Sequence, residues 1–394
     1  MAEGAAFAVL VLNQISQAGL ERLPASRYRT GPEIAEPDAI LVRSADLHAA
    51  PIPASVLAVG RCGAGTNNIP VAALSGRGVP VFNAPGGNAN AVKELVLAGM
   101  LMAARRLPAA QAFVAGLDPA QEGLERTIEE GKKPFAGFEL ANRTLGVIGL
   151  GKVGCLVADA AIRLGMRVLG YDPEITVDAA WSLPSQVQRA ASVEDVLRNA
   201  QLVSLHVPLV DATRHLVNAA NLRLLQPEAV LLNFSREGVV DDRAAVAALD
   251  AGLLGRYVCD FPHPAILGHP RVIVFPHLGA STREAEDNCA VMVADQLRDF
   301  LEHGTIRNAV NFPQVAMARE SPWRVAIANA NVPNMLGQIS TAMARAGLNI
   351  HKMVNNSRGE MAYTLVDVDS AVDASVLAAI RGIEGVLAVR YLPA

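Results

Sequence analysis

The chain has 394 residues, 51% of them hydrophobic and only 4% aromatic, with a formal net charge of −4. That length suits two or three domains, and the Ala-, Val- and Leu-rich composition suits an α/β enzyme whose parallel strands are buried on both faces. No basic block invites nucleic acid or an anionic membrane, no apolar run approaches the ~18 residues of a membrane span, and the four cysteines lack the CxxC spacing of a zinc site or a disulfide framework.

Residues 7–12 form a short apolar run without a basic leader, so they read as a first strand and not as a signal peptide. The expected location is therefore cytoplasmic. Further strands are predicted over 39–42, 56–59 and 79–82, which makes a small βα unit. An apolar helix follows over 88–106, broken at Pro108. The charged, turn-rich stretch 116–137 reads as a mobile surface connection.

From residue 144 the βα rhythm restarts on its most informative stretch. Residues 145–154 read as a buried strand, a G-x-G-x-x-G turn and the first turn of a helix, and Asp172 closes the next strand 18 residues beyond Gly154. Gly149 permits the tight turn, Gly151 lets the backbone approach a pyrophosphate, and Gly154 allows close helix–strand contact. The N–H groups near Lys152 and Val153 then face the phosphates. Asp172 would accept the adenosine ribose hydroxyls and repel a 2′-phosphate, which favours NAD over NADP. Strands over 202–207, 229–234, 257–260 and 272–275 complete six for a doubly wound sheet.

Ser281 to Glu284 has the pattern of a capping box, opening a helix that runs to about Leu301. After Pro313, strands at 325–331, 350–354, 361–368 and 386–391 alternate with helices at 335–346 and 373–381. This βαββαβ order marks a separate ferredoxin-like module.

Ligands of an open α/β sheet lie beyond the carboxyl ends of its strands. Arg236, Asp260 and His277 each follow or end such a strand. A 2-hydroxy acid oxidation needs a base, which suits the imidazole of His277, and a cation for carboxylate and carbonyl, which suits the guanidinium of Arg236. Asp260 either orients His277 or binds the nicotinamide carboxamide. His206 reads as a structural residue beside the cofactor, and no metal site is indicated.

These segments resemble the D-2-hydroxyacid dehydrogenase family. The resemblance is carried by Val42-Arg43-Ser44, by residues 60–68 and 82–88, by the glycine motif, by residues 233–241 and by Pro276-His277-Leu278-Gly279-Ala280-Ser281-Thr282. It implies a split substrate-binding domain (1–87 and 281–312), a Rossmann-type NAD domain (88–280) and a C-terminal ACT-like regulatory domain (321–394). It also implies oxidation of 3-phospho-D-glycerate, the entry to serine synthesis, with Arg43 and Arg61 on the phosphate and the backbone of Gly63, Ala64 and Gly65 on the carboxylate. Val207, Phe234, Ser235, Gly279 and Ala280 join the cofactor contacts on the same ground. In this reading Asn331 and Asn349 hold a serine effector, and the chain is a homodimer or homotetramer.

Two departures from the family pattern stand out. The family's glutamate, in a Glu-Pro pair, buttresses the histidine; here the segment is Cys259-Asp260-Phe261-Pro262-His263-Pro264, with no glutamate before His277. The usual Pro-Gly of the effector loop is Pro333-Asn334. The alternative readings are a reductase of glyoxylate, hydroxypyruvate or another D-2-hydroxy acid, and a non-enzymatic NAD(H)-sensing scaffold.

Overall fold

A computed structural model describes residues 7–49 and 51–393, so residues 1–6 and 394 of the expected terminal domains lie outside the described residues. The chain divides into two compact units, residues 1–88 with 283–394 and residues 89–282.

The first unit opens with five strands, β1 (Phe7–Leu12), β2 (Tyr28–Gly31), β3 (Ala39–Val42), β4 (Ala58–Arg61) and β5 (Val81–Phe82). They form one parallel sheet in the order β2-β1-β3-β4-β5. β2 is not among the expected strands: it sits on the sheet edge with an exposed Arg-Thr centre and carries little apolar signal. The helix Arg283–His303 returns to cover this sheet. It fits because Gly60 lacks a side chain: a Cβ there would lie 2.5 Å from Val293 Cγ1.

The same unit contains the C-terminal sheet, with β13 (Trp323–Ala330), β14 (Ile350–Arg358), β15 (Met361–Val368) and β16 (Val386–Pro393), antiparallel in the order β14-β15-β13-β16. Alternation along β13 sends Val325 and Ile327 toward the helices Met335–Arg345 and Ala374–Arg381, and Ala326 and Ala328 toward the core built on Phe82, Phe300 and Phe312. Both faces of the central strand β13 are thus buried. Three side chains fasten it to the end of the long helix: Tyr363 donates to Gly304 O (2.8 Å), Arg390 to Phe300 O and Leu301 O, and Arg324 to His303 O.

The second unit carries β6 (Thr144–Ile148), β7 (Arg167–Tyr171), β8 (Gln188–Arg189), β9 (Leu202–Leu205), β10 (Val230–Asn233), β11 (Arg256–Cys259) and β12 (Val272–Val274). All pair in parallel, in the order β12-β11-β10-β9-β6-β7-β8. The order reverses at β6/β9, the doubly wound switch point where dinucleotides bind. Seven strands replace the expected six, the addition being the two-residue, fully exposed edge β8.

Two helical expectations change. The helix expected over 88–106 runs Ala89–Ala104; Arg106 then takes a left-handed φ of 52°, and Pro108 sits in the first turn of a new helix, Leu107–Ala115, where its missing N–H costs nothing. The stretch read as a mobile connection holds the helix Leu124–Gly131, and Phe135 packs on Phe113 with ring centroids 5.5 Å apart. No described helix is long and apolar enough to cross a membrane.

Candidate active site

The glycine turn has the shape that a dinucleotide requires. Gly149 has φ 90°, and a Cβ on it would lie 2.6 Å from His206 O. A Cβ on Gly154 would lie 2.0 Å from Gly149 O, so the helix Lys152–Arg163 can seat against the turn only with glycine there. Around Gly151 the opposite holds: a Cβ would meet nothing within 4 Å. That open face, at a helix start with no side-chain cap, is a cradle a pyrophosphate fits and a side chain would fill. The Asp172 carboxylate follows β7 and accepts from Leu150 N (2.8 Å) and Glu174 N (2.9 Å), which fixes it beside the turn. These residues fit an NAD adenosine and pyrophosphate.

His206 follows β9, donates its backbone N–H to Ile148 O and places Nε2 2.8 Å from Ser204 Oγ. Burial disfavours its imidazolium and lowers its pKa to about 4, so it is neutral at physiological pH. Val207 continues the same loop. Phe234 and Ser235 are buried after β10, with Phe234 stacked on Phe275.

The residues after β10, β11 and β12 are tied into one hydrogen-bonded chain. The buried side chain of Asn233 donates to Arg236 O (3.0 Å) and accepts from Ser235 N and Oγ. Asp260 N donates to Asn233 O, and the Asp260 carboxylate takes the N–H groups of Leu278 and Gly279, each at 2.8 Å. Asp260 is 1% exposed. Burial raises its pKa, and the amides of Leu278 and Gly279 offset this only in part. Between these two anchored residues and Phe275, whose N–H is held by Cys259 O, His277 adopts a left-handed φ of 60°. Such a conformation costs a non-glycine residue about 1–3 kcal/mol and persists where neighbouring bonds fix it. Two charge-assisted amide bonds supply that constraint here.

The His277 ring stands edge-on to Phe261, with centroids 5.0 Å apart, and no described carboxylate lies within 4 Å of its nitrogens. Asp260 therefore grips the backbone of the histidine loop. Arg236 donates to Ser235 O (2.7 Å), and burial lowers its pKa without bringing a partner carboxylate. Gly279 is buried, Ala280 half-buried and His277 exposed.

In the first unit, Arg43 follows β3, Arg61 ends β4, and Gly63, Ala64 and Gly65 come next. Gly63 is tied to the arginine beside it, since a Cβ there would strike Arg61 Nη1 at 1.7 Å. Asn83 Nδ2 holds Ala64 O (2.6 Å), and Ala84 N holds Gly63 O, which sets the loop backbone. Arg43 pairs with Glu286 on the long helix at 2.7 Å.

Asn331 and Asn349 are not brought together. Asn331 follows β13 and bonds the β14–β15 turn through Gly359 O, whereas Asn349 precedes β14 and bonds Asp369 at the other end of the sheet. Eight paired residues separate those ends, on the order of 20 Å. Asn334 takes the left-handed φ of 65° that glycine would favour.

Asn233 and Glu286 hold candidate site residues, Arg236 and Arg43, and neither stands out as a candidate in the sequence. Asn233 had a local signal, a polar residue ending an apolar strand; Glu286 had none, because its partner is 243 positions away.

Residues 97–279 match the NAD binding domain of D-isomer specific 2-hydroxyacid dehydrogenase. A D-3-phosphoglycerate dehydrogenase of Escherichia coli K12 is 32% identical over 350 residues, which cover 86% of this chain and 82% of that one. The chain belongs to the D-isomer specific 2-hydroxyacid dehydrogenases. Within that family it is an NAD-dependent oxidoreductase. The D-3-phosphoglycerate dehydrogenase of a Synechocystis strain is 35% identical over 77% of this chain, which spans 56% of that longer enzyme. Among solved structures, an NAD+-bound 3-phosphoglycerate dehydrogenase of Entamoeba histolytica shares the fold, with a TM-score of 0.62 and 23% identity over 78% of this chain and 99% of that one.

Proposed function

We propose that the chain oxidises 3-phospho-D-glycerate to 3-phosphohydroxypyruvate, the step that commits carbon to serine. The observation that carries this reading is the anchored strand-end chain Arg236–Asn233–Asp260–His277; Arg43 and Arg61 are proposed as the phosphate ligands. NAD⁺, held by the Gly149–Gly151–Gly154 turn and Asp172, supplies the hydride acceptor. The guanidinium of Arg236 holds the substrate carboxylate and polarises the oxygen on C2. The imidazole of His277 takes the proton of the C2 hydroxyl as that carbon becomes a carbonyl. Asp260 positions His277 through the backbone, and Phe261 sets one side of its ring. Gly63, Ala64 and Gly65 offer backbone N–H groups to the carboxylate.

The two arginines of the first unit favour a phosphorylated substrate over glyoxylate or hydroxypyruvate, which need no extra cation. The C-terminal sheet is proposed to bind L-serine between two copies of the chain. Asn331 of one copy would meet Asn349 of the other, since the two lie at opposite ends of the sheet. A cytoplasmic homodimer or homotetramer fits this reading.

NADH formation at alkaline pH from 3-phosphoglycerate, glycerate and D-lactate tests the substrate. The expected result is a kcat/KM for 3-phosphoglycerate at least 100-fold above the others. Activity on glycerate alone removes the phosphate assignment.

A further inference from the structure

The carboxyl ends of the second unit's strands are occupied by the residues above, yet a second concave site opens at their amino ends. It is a cleft of about 780 Å³, within the range that holds small ligands. Four arginines line it, each from a different segment: Arg106 after the helix Ala89–Ala104, Arg143 before β6, Arg256 opening β11 and Arg271 before β12. Glu228 is the one acidic residue in the lining, so the wall carries +3 in a chain whose net charge is −4.

Two of these arginines are already committed to fixed positions. Arg106 Nη1 donates to Pro134 O (2.7 Å); Arg143 Nε donates to Glu139 O, and its guanidinium lies 4.1 Å over the Phe138 ring. The other two, Arg256 and Arg271, have no described carboxylate within 4 Å. Burial lowers the pKa of Arg256, the charges of Arg106 and Arg271 lower it further, and Glu228 offsets this only in part. Such a gathering is unfavourable unless an anion neutralises it, and guanidinium forks match phosphate oxygens two at a time.

We infer that this cleft is a second ligand site, taking a small polyanion that carries phosphate groups. It is separate from the cofactor and substrate positions: strands of four or five residues, ~15 Å, divide the two edges of the sheet. The bound anion would bridge Arg256 and Arg271, with Arg106 and Arg143 completing the wall. The inference does not depend on which hydroxy acid the chain oxidises.

The probe is inorganic pyrophosphate, titrated calorimetrically into the full-length protein saturated with NADH and 3-phosphoglycerate. One saturable site per chain is expected, with at least tenfold weaker affinity in the Arg256→Gln/Arg271→Gln variant and kcat and KM within twofold of wild type. Because that variant removes two half-buried groups, Arg271→Gln alone is measured beside it, with an expected weakening of at least threefold. On the wild-type protein, pyrophosphate should also protect Arg256 and Arg271 from phenylglyoxal, read by peptide mass spectrometry. Absence of a saturable site, equal affinity in both variants, or loss of the oligomer in the variants by sedimentation would each overturn the inference; the last would assign the cleft to a second copy of the chain.

Discussion

Asp260 and Asp367 are both buried carboxylates near a strand end, 1% and 0% exposed, and their surroundings differ in kind. Asp367, on β15 of the C-terminal sheet, is gripped by Arg324 through two bonds of 2.6 and 2.9 Å, and Arg324 spends its remaining donors on His303 O, Met317 O and Ala318 O. Burial pushes Asp367 up, but the bonds from Arg324 and from Glu320 N outweigh it and leave the carboxyl below its ordinary range. Asp260 has no cation against it. It holds two backbone amides of a loop whose preceding residue, His277, is in a left-handed conformation, and its pKa is raised. The first carboxylate closes a charge-balanced lock between a sheet, a linker and the end of a helix. The second leaves Arg236 and His277 without carboxylate partners and uses its lone pairs to aim the chain. Structure is stabilised by pairing charge, and chemistry is kept available by leaving it unpaired.

The contrast breaks first at His277. His277→Gln should lower kcat by about 10²–10⁴, the range for loss of a general acid–base group, with an unfolding midpoint in urea that is unchanged. A large loss of stability without loss of turnover would place His277 with the structural group instead. On the other side, Arg324→Met leaves Asp367 buried without its partner and should cost about 3–5 kcal/mol by urea denaturation, while kcat of the folded protein stays within twofold. If Arg324→Met costs nothing, the lock is not one.

A smaller effect has opposite signs at the two aspartates. Because Asp367 has a depressed folded pKa, its contribution is present above the unfolded value of roughly 3.9 and is lost as pH falls through the folded value. Because Asp260 has a raised folded pKa, its contribution is greatest below that value and declines as pH rises through the folded one. The stability gap between wild type and Asp367→Asn should therefore narrow as pH falls below about 4, and the gap to Asp260→Asn should narrow as pH rises above it. Denaturation curves between pH 3 and 6 check this, and gaps moving in the same direction would refute the assignment.

Local patterns carried much of this into the sequence. The turn at Gly149, Gly151 and Gly154 is readable because its glycine spacing follows an apolar strand, and β6, β7, β9, β10, β11 and β12 are mostly apolar runs. Arg236, Asp260 and His277 could be listed because each sits at or just beyond such a run. What stayed hidden depends on distant partners or weak composition: the exposed edges β2 and β8, the polar helix Leu124–Gly131, the Glu286 partner of Arg43 and the Arg324–Asp367 lock. The missing family glutamate was evident in the sequence. That Asp260 grips the histidine loop by its backbone was not, because those bonds span 18 and 19 residues through a fold.

That strand-end cations serve a phosphorylated hydroxy acid is tested most directly by Arg61→Gln. Removing one charge-assisted phosphate contact, worth roughly 1.5–3 kcal/mol, should cut kcat/KM for 3-phosphoglycerate by about 10- to 100-fold and change that for glycerate by less than threefold. Equal losses on both substrates, or a wild-type preference for glycerate, would contradict the account.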